Sequence, residues 1–548
     1  MSYMKSGSTI EGGNMHKFSM QRLALLGILI LCSALLMVNI TQPWVGLDAN
    51  SGVKRSIEAK NYLRYGFLNL KFGQANTYHQ VSDLKDLTYY MHHPPLTSIS
   101  IAVSFYLFGV SEFSYRLILI LFTLCSVLLV YTIARRSYGV RTALLAAFIF
   151  SVMPVTTFYG RSNFEPLTQM LLLLSVMLYL RWFDDRRPGK FYLFLAIYAI
   201  SLLTDWPVYF LGLLIPLHFF LAEKKNFFRQ PKIILVPLTT IAGFALFLYY
   251  CYLVQPQAIQ DFLLQLKIYL GAVRDPELLS RLRQSSAHGG ELIDFTAIQF
   301  TRVLFNNFLL FFLYPVLVLS AFGFCRLIIN AFTGKDRDLA TWILLALPVI
   351  YCTLFYRSIF IHSIWLFYFA PPLALLAAVA IDGIFGRDAL KDGTPMPGRM
   401  AWPYLFCIVL IFLPAVYNLK EMHGMQRKVL PGDQLETTGL IPGIAKQLKT
   451  LTAPEDVILT NLNLAHQGLR GGPVIQYYSE RRIAGDTEDV DKLKNALSSV
   501  KGRRAWFYLW TGGEPDKNHG ELEKYLVQNF PYTSHTVEKH KFKLFRMI

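Results

Sequence analysis

The stretch "IILVPLTTIAGFALFLYYCYLV", residues 233–254, is an apolar run. It reaches the roughly 20 residues that a helix needs to cross the hydrocarbon core of a bilayer. Residues 23–40 form a similar run. The chain of 548 residues is 53% hydrophobic and only 16% charged, whereas soluble proteins are about 45–50% apolar and about 25% charged. The composition therefore predicts a polytopic α-helical membrane protein.

The net charge of +17 is explained by where the arginines and lysines lie. They concentrate in short loops beside the apolar runs, which indicates membrane topology rather than a nucleic-acid partner. The same pattern favours an interfacial or re-entrant helix, not a span, for residues 96–110. We then expect 11 spans, within a range of 10–13, with the N-terminus inside and the C-terminus outside. The predicted spans are 23–40, 113–134, 142–159, 167–183, 191–204, 207–222, 233–254, 302–325, 339–356, 361–384 and 402–418.

These spans divide the chain into three predicted parts. Residues 1–22 form a cytoplasmic segment, residues 23–418 form the membrane domain, and residues 419–548 form an extracytoplasmic domain. Two long outer loops, 41–112 and 255–300, belong to the membrane domain. The first span has no small-residue cleavage pattern after it, so we expect it to be retained rather than removed as a signal peptide.

The tail after the last span has the pattern of a small α/β domain. The stretches "DVILTN", "VIQYYS" and "RAWFYLW" predict buried strands, while "DVDKLKNAL" and "ELEKYLVQNF" predict helices. All six cysteines lie in apolar segments instead, so structural disulfides and a CxxC-type metal site are not expected. They are Cys32, Cys125, Cys251, Cys325, Cys352 and Cys407.

Asp48 follows the first span directly and stands at the predicted outer membrane surface. A carboxylate at this low-dielectric edge can have a raised pKa and serve as a general base. The alternative is an N-cap for the helix predicted over "ANSGVKRSIEAKNYL", because Asp is a preferred capping residue. The sequence leaves both roles open for Asp48.

The segment "YYMHHPPL", residues 89–96, pairs two histidines with two prolines. Pro94 and Pro95 predict an extended entry into the interfacial helix, since proline fixes its own backbone and restricts the residue before it. His92 and His93 are candidates to donate to a phosphate or bind a metal. Adjacent side chains of an extended segment point in opposite directions, which argues against a chelating pair. A rigid turn without a ligand is the structural alternative.

Further outer-edge candidates lie between later spans. "FYGRSNFEPL" contains Arg161 and Glu165, and "LTDWPVYF" contains Asp205. Acidic residues near a membrane edge are functional candidates, although Glu165 before Pro166 also suits a helix N-terminus. "FYRSIFIHSIWLFYF" contains Arg357 and His362, which suit either an anionic lipid headgroup or interfacial anchoring.

Taken in order, these segments resemble the GT-C membrane glycosyltransferases. The resemblance is carried by Asp48 and by a series of motifs, and it is closest to the aminoarabinose transferases and the dolichyl-phosphate-mannose protein mannosyltransferases. It covers residues 20 to about 225 well, is looser up to residue 418 and does not usefully extend to the tail. The motifs are "A-x-N-Y-L-x-x-G", "HHPPL", "FGVSEFSYRL", "RRSYGVRTALLAAFIFSVMPVTTFYGRSNFEPL" and "LLTDWP".

The resemblance implies a polyprenyl-phosphate-linked sugar as donor and transfer with inversion on the periplasmic or luminal side of the membrane. A bacterial inner membrane is the expected location, and the acceptor is a lipid, a glycan or a protein. Family members place an acidic residue after the first span near the acceptor, which maps onto Asp48. Their second acidic position maps onto Glu165, and their "PPL" loop maps onto His93 to Leu96.

Chemistry assigns roles to these positions. An attacking hydroxyl must lose its proton, and Asp48 is the expected base. The departing phosphate gains charge, which His93, Arg357 and His362 are expected to stabilise. Glu165 is expected to orient a substrate or bind a metal. No cofactor is required by this scheme, and a divalent metal remains an alternative.

Two departures from the family limit what the resemblance predicts. Asp48 is followed by Ala49 where the family often has Asp-Glu, and His92 and His93 replace the acidic-Lys pair typical of aminoarabinose transferases. The sequence therefore predicts neither the sugar nor lipid A as the acceptor. Other classes are a transporter or lipid flippase, and a glycan polymerase or ligase. Transporters usually carry repeats and midplane charges, whereas these charges lie at outer ends.

Overall fold

The computed structural model forms two compact units, each built from three separate stretches of chain. The first comprises Met1–Ile40, Arg116–Phe247 and Phe295–Lys420, and the second comprises Thr41–Tyr115, Leu248–Asp294 and Glu421–Ile548. The structure describes residues 10–44, 49–162, 164–223, 230–273, 275, 277, 295–333, 340–385, 398–427, 440–461, 472–484, 487, 489–500, 503–509, 517–537 and 540–547.

Helices make up the first unit, as the apolar runs predict. Three of them are extended by short 3₁₀ turns at Trp206–Phe210, Pro231–Ile234 and Ser363–Phe369. The helices that lie in this unit, wholly or in their larger part, are Ile10–Leu36, Glu112–Tyr138, Val140–Val152, Pro154–Tyr159, Glu165–Asp185, Pro188–Ser201, Leu211–Glu223, Leu235–Val254, Ala297–Phe312, Tyr314–Phe332, Ala340–Leu354, Tyr356–Ile361, Ala370–Phe385 and Gly398–Arg427.

Within the described residues, seven helices are long and apolar enough to cross a membrane, and shorter apolar helices accompany them. A polytopic helical membrane protein is therefore confirmed. The seven are Glu112–Tyr138, Glu165–Asp185, Trp206–Glu223, Pro231–Val254, Tyr314–Phe332, Ser363–Phe385 and Trp402–Glu421.

Two predicted spans are wrong in detail because two helices occupy each of them. The span 142–159 is divided between Val140–Val152 and Pro154–Tyr159. The other is the span 302–325. The first helix ends at Phe312 and the second begins at Tyr314. Leu313 between them has a φ of 67°, and Pro315 follows in the first turn of the second helix. Proline has no N–H to continue a helical ladder, so the chain turns here.

The helix Ala370–Phe385 lies deep in the first unit. In the span Ser363–Phe385, 83% of the apolar stretch of 18 residues is buried. The helix packs against Tyr314–Phe332. A Cβ placed on Gly323 would lie 2.0 Å from the carbonyl oxygen of Leu376, so the two backbones approach too closely for any side chain there. Ser320 Oγ donates to the Leu373 carbonyl over 2.9 Å.

The second unit begins with helices of the first outer loop. The helix Ala49–Tyr65 follows the first predicted span, and the helix Leu96–Phe108 follows the two prolines. The latter has only 13 residues, which agrees with the prediction that it is too short to cross. The remaining elements of this part are the 3₁₀ turn Leu84–Asp86 and the helix Gln257–Tyr269.

The tail forms a five-stranded sheet in the order β2-β1-β3-β5-β4. Strands β1, β2 and β3 are parallel, while β5 runs antiparallel to β3 and to β4. The α/β prediction is confirmed. The strands are β1 (Val457–Thr460), β2 (Arg482–Ala484), β3 (Ala505–Leu509), β4 (Tyr532–Val537) and β5 (His540–Arg546). The helices are Leu440–Leu451, Gly472–Ser479, Val490–Ser499 and Lys517–Asn529.

Patterning placed β1 and β3 correctly because both are buried. Leu493, Leu522 and Leu526 of two helices pack with Val457 and Phe507 in a single hydrophobic core. The prediction of a strand at "VIQYYS" is wrong, because these residues belong to the helix Gly472–Ser479. A short apolar run does not distinguish a strand from a buried helix.

Candidate functional site

Asp48 lies outside the described residues, so its roles as base or N-cap stay predictions. The helix Ala49–Tyr65 begins at the next residue. The helix is held by contacts of Arg55 and Glu58, about two turns after its start.

The histidine-proline segment belongs to the second unit. His93 and Pro94 are buried, and His92 is half-buried. The ring of Tyr90 lies with its centroid 4.6 Å from that of His92 and 6.0 Å from that of His93. Pro95 immediately precedes the helix that starts at Leu96. The two histidines therefore share an aromatic neighbour within the segment.

A buried polar network supports this segment. Arg55 Nη1 donates to Glu58 Oε2 over 2.7 Å and to Gln74 Oε1 over 2.6 Å. Ser98 Oγ donates to the same Glu58 oxygen over 2.5 Å. Gln74 Nε2 donates to the carbonyl oxygen of His93 over 2.5 Å. These contacts join the helix after Asp48 to the histidine segment.

Burial and charge oppose each other at Arg55. Burial lowers the pKa of the guanidinium, but the charge of Glu58 and its hydrogen bond outweigh that effect, so the pKa is raised. Arg55 is 5% exposed and Glu58 is fully buried. The Arg55 guanidinium is therefore held in its charged form by a short contact to Glu58 Oε2.

Arg161 has a structural partner in the first unit. Its side chain is buried, and Nη1 donates to the carbonyl oxygens of Leu36, over 3.2 Å, and of Val38. These carbonyls lie at and just beyond the C-terminal end of the helix Ile10–Leu36. Cations favour that end of a helix, so Arg161 fastens the end of the first predicted span.

Glu165 and Asp205 are both completely buried in the first unit. Tyr368 Oη donates to Asp205 Oδ2 over 3.2 Å and interacts electrostatically with Asp205 and with Glu165. The helix Glu165–Asp185 starts at Glu165 with Pro166 in its first turn. Tyr368 is therefore hydrogen-bonded to Asp205, and the charge of the buried Glu165 also acts on it.

Arg357 lies among aromatic rings of the first unit. Its guanidinium carbon is 5.9 Å from the ring centroid of Phe295 and 6.0 Å from that of Tyr356. Phe295 in turn stacks on Phe360 with centroids 4.1 Å apart. The Nε of Arg357 has no hydrogen-bond partner within the described part of the chain. His362 follows this helix with an exposed side chain.

A divalent metal is an alternative that the sequence leaves open. Among the described residues, no group of three or more His, Cys, Asp or Glu side chains is arranged to hold an ion. Since Asp48 lies outside that part of the chain, the question of a metal there stays open to experiment.

Sequence reasoning missed Glu58, Gln74 and Tyr368. Arg55 and Glu58 carried a usable signal, because opposite charges three residues apart lie on one face of a helix. Gln74 and Tyr368 carried none. Each gains its role from a partner distant in sequence, His93 for Gln74 and Asp205 for Tyr368.

An ion cluster in the second unit was also missed. Glu480 accepts from Lys449 over 2.7 Å, from Arg64 over 3.2 Å and from Lys60. Burial raises the pKa of Glu480, but the hydrogen bonds from Lys449 and Lys60 outweigh it and lower the pKa to about 2. The cluster joins the helix Ala49–Tyr65 to the tail.

Comparison with known proteins supports the resemblance found in the sequence. The model of the dolichyl-phosphate-mannose-protein mannosyltransferase family matches residues 92–250. ArnT from Cupriavidus metallidurans, bound to undecaprenyl phosphate, has a TM-score of 0.58 at 14% identity, over 96% of this chain and 97% of that chain. The fold is that of a GT-C membrane glycosyltransferase.

A second GT-C structure agrees. AglB from Archaeoglobus fulgidus, in complex with an inhibitory peptide and a dolichol-phosphate, has a TM-score of 0.56 at 13% identity, over 96% of this chain and 74% of that chain. A sequence comparison with curated proteins found no significant match. The chain therefore combines a match to this family model over residues 92–250 with the GT-C fold.

Proposed function

We propose that the protein transfers a sugar, with inversion, from a polyprenyl-phosphate donor to an acceptor at the outer face of the membrane. One observation carries the proposal: two proteins that share this fold over nearly the whole chain have been solved with undecaprenyl phosphate or dolichol-phosphate. Both lipids are polyprenyl phosphates. The family match also begins at His92, inside the histidine-proline segment.

The reaction needs one displacement at the anomeric carbon. The acceptor hydroxyl oxygen forms a bond to this carbon, and the bond from the carbon to the phosphate oxygen breaks, with its electron pair going to the phosphate. Asp48 takes the hydroxyl proton. Such general-base help is worth about 10²–10⁴-fold in rate. A single inverting step requires no nucleophilic carboxylate.

The departing phosphate requires hydrogen-bond donors, because its negative charge grows as the bond breaks. In the second unit we assign this role to His93. In the first unit we assign it to Arg357 and to His362. The Nε of Arg357 has no hydrogen-bond partner among the described residues, and its aromatic surroundings suit a phosphate. Arginine matches phosphate oxygens with a planar set of donors.

Glu165 is assigned an orienting role. Its carboxylate, Asp205 and the hydroxyl of Tyr368 form a buried polar group within the first unit. Buried polar groups of this kind hold a fixed arrangement because each is costly to leave without a partner. Orientation of a sugar hydroxyl would use that fixed arrangement.

The side of the membrane and the acceptor are part of the proposal. Positive-inside topology puts the outer loops and the tail outside the cytoplasm, and a cell-envelope location in a bacterial inner membrane follows from the resemblance. The acceptor is a lipid, a glycan or a protein.

The proposal is tested by lipid mass spectrometry on the purified wild-type protein and on Asp48→Asn, each expressed in the native host. We expect a polyprenyl-phosphate monosaccharide to copurify and to accumulate with the variant. Transfer should fall by about 10²–10⁴-fold, the usual contribution of a general base. The control is Asp83→Asn, which changes an exposed carboxylate of the same outer loop.

Two outcomes would count against the proposal. A folded Asp48→Asn protein with wild-type turnover would remove Asp48 from the chemistry. The absence of any such lipid from both preparations would instead favour a different lipid substrate.

A further inference from the structure

We propose that Gln74 is a positioning residue that holds His93 in place for the donor phosphate, and that Glu58 and Arg55 hold Gln74. The inference rests on the proposed function and concerns the second unit alone. It assigns to a buried glutamine and an ion pair a purpose that their sequence positions do not reveal.

The part of the histidine-proline segment that follows His93 cannot donate to a backbone hydrogen-bond ladder. Pro94 and Pro95 have no N–H, so two consecutive residues after His93 cannot donate a backbone hydrogen bond. The His93 carbonyl is nevertheless buried and must be paired. Gln74 Nε2 supplies the donor, at 2.5 Å.

Gln74 forms hydrogen bonds with the histidine-proline segment at two points. Its backbone carbonyl accepts from the N–H of Tyr90 over 2.9 Å, while its side chain donates to the carbonyl of His93. Next to it, Ala75 and Tyr89 form an antiparallel bridge. The four residues from Tyr90 to His93 are therefore fixed at both ends by one glutamine.

The amide of Gln74 is itself locked in orientation. Its Oε1 accepts from Arg55 Nη1 over 2.6 Å and from Ser98 Oγ over 3.4 Å. Because Oε1 faces these donors, Nε2 must face the His93 carbonyl. Glu58 Oε2 binds the same two donors and keeps them in position. The chain of contacts runs from Glu58 through Arg55 and Gln74 to His93.

The location of the network on the helix Ala49–Tyr65 matters for the proposed reaction. Arg55 and Glu58 belong to the helix Ala49–Tyr65, which begins directly after Asp48. The hydrogen bonds of Arg55, Glu58 and Gln74 connect that helix to the backbone of His93, and so fix the proposed phosphate donor relative to the helix. Small errors in the position of such a group lower reaction rates severely.

The experiment measures binding of undecaprenyl phosphate to the full-length protein in detergent, with undecaprenol as the lipid that lacks phosphate. Two variants separate the contacts. Gln74→Glu keeps acceptor oxygens for Arg55 and Ser98 but loses the donor to His93, and Gln74→Ala loses both. Gln80→Ala is the control, since Gln80 is an exposed glutamine of the same loop.

We expect both Gln74 variants to weaken undecaprenyl phosphate binding about ten-fold, in line with couplings between contacting residues. Binding of undecaprenol and of the control should not change. In a His93→Ala background the Gln74 substitutions should cost less than about two-fold, because residues that act through one another are not additive. A purely structural role would weaken both lipids alike.

Three results would overturn the inference alone, given that His93→Ala weakens phosphate binding: unchanged affinity in the Gln74 variants, equal loss for both lipids, or additive losses with His93→Ala. If His93→Ala has no effect, the phosphate role of His93 in the proposed function fails. A wild-type protein that does not bind undecaprenyl phosphate would overturn both.

Thermal unfolding accompanies each measurement. Should the Gln74 variants fail to fold, Ser98→Ala removes one hydroxyl donor from Glu58 and Gln74 and keeps the test open. We expect a loss of about three-fold for that variant, again only for the phosphate-bearing lipid.

Discussion

The two proposed phosphate-binding segments are built in different ways. The backbone of His93 is held by a hydrogen-bonded network with a buried ion pair, Arg55 and Glu58. Arg357 is surrounded by aromatic rings, and its Nε has no hydrogen-bond partner among the described residues. Hydrogen bonds fix direction, whereas ring contacts tolerate small shifts. The comparison suggests a fixed donor in one unit and an adaptable one in the other.

The largest difference between the two segments should appear when the carboxylate of Glu58 is removed from the hydrogen-bonded network. Glu58→Ala leaves Arg55 buried without its counter-charge, so the free energy of unfolding should fall by about 3–5 kcal/mol. SDS titration in mixed micelles measures it. The double change Arg55→Met with Glu58→Leu should recover much of the loss, because apolar replacements of buried pairs are often neutral.

The control for this prediction is Glu455→Ala. Glu455 also pairs with an arginine, Arg504, over 2.8 Å, but its side chain is 67% exposed. Exposed pairs contribute little to stability, because water screens their charges. Equal effects of Glu58→Ala and Glu455→Ala would show that the buried pair does not hold the segment.

Arg357 should affect binding more than stability. Arg357→Ala is expected to weaken undecaprenyl phosphate binding by about 1.5–3 kcal/mol, the range for a hydrogen bond to a charged group. Arg357→Lys should recover part of it, since charge remains while the planar donors are lost. Arg302→Ala changes an exposed arginine of the same unit, and an equal loss there would assign the effect to general charge.

The Glu480 cluster gives a smaller effect, with a defined pH dependence. The pKa of Glu480 is lowered from 4.5 to about 2 in the folded protein. Its stabilisation is therefore complete above about pH 4.5 and is lost as the pH falls through about 2. Glu480→Gln should cost about 1 kcal/mol at pH 7.

Thermal unfolding of the wild type and Glu480→Gln between pH 7 and pH 2 measures this difference. The two proteins should converge toward the acidic end. Undecaprenyl phosphate binding at pH 7 should stay unchanged, because the described ion pairs of Glu480 are with Lys449, Arg64 and Lys60 and not with the histidine-proline segment. A loss of binding would extend the positioning network to the tail.

Much of the fold followed from local sequence. Long apolar runs require helices because a membrane offers no partners for an open backbone, and β1 and β3 were placed by their burial. Local sequence did not predict the helix Gly472–Ser479 or the break at Leu313, since tertiary contacts rather than hydrophobic periodicity decide each of them.

The candidate site was only partly predictable. Glu165 and Asp205 were singled out for their places at span ends, and the structure places both beside Tyr368. No local pattern marks Tyr368 or Gln74, because each acts through a partner far away in the chain. Arg161 was a candidate for function, yet its described partners are the carbonyls of Leu36 and Val38.

The discontinuous second unit has a consequence for synthesis. The backbone N–H of Trp44 donates to the hydroxyl of Tyr478 over 3.0 Å, across 434 positions of the chain. At about 5–20 residues per second, the ribosome needs roughly 20 to 90 s between these two residues. Because Tyr478 follows all the described spans, Trp44 gains this partner only after those spans have been synthesised. Completion of this unit belongs to the last stage of biogenesis.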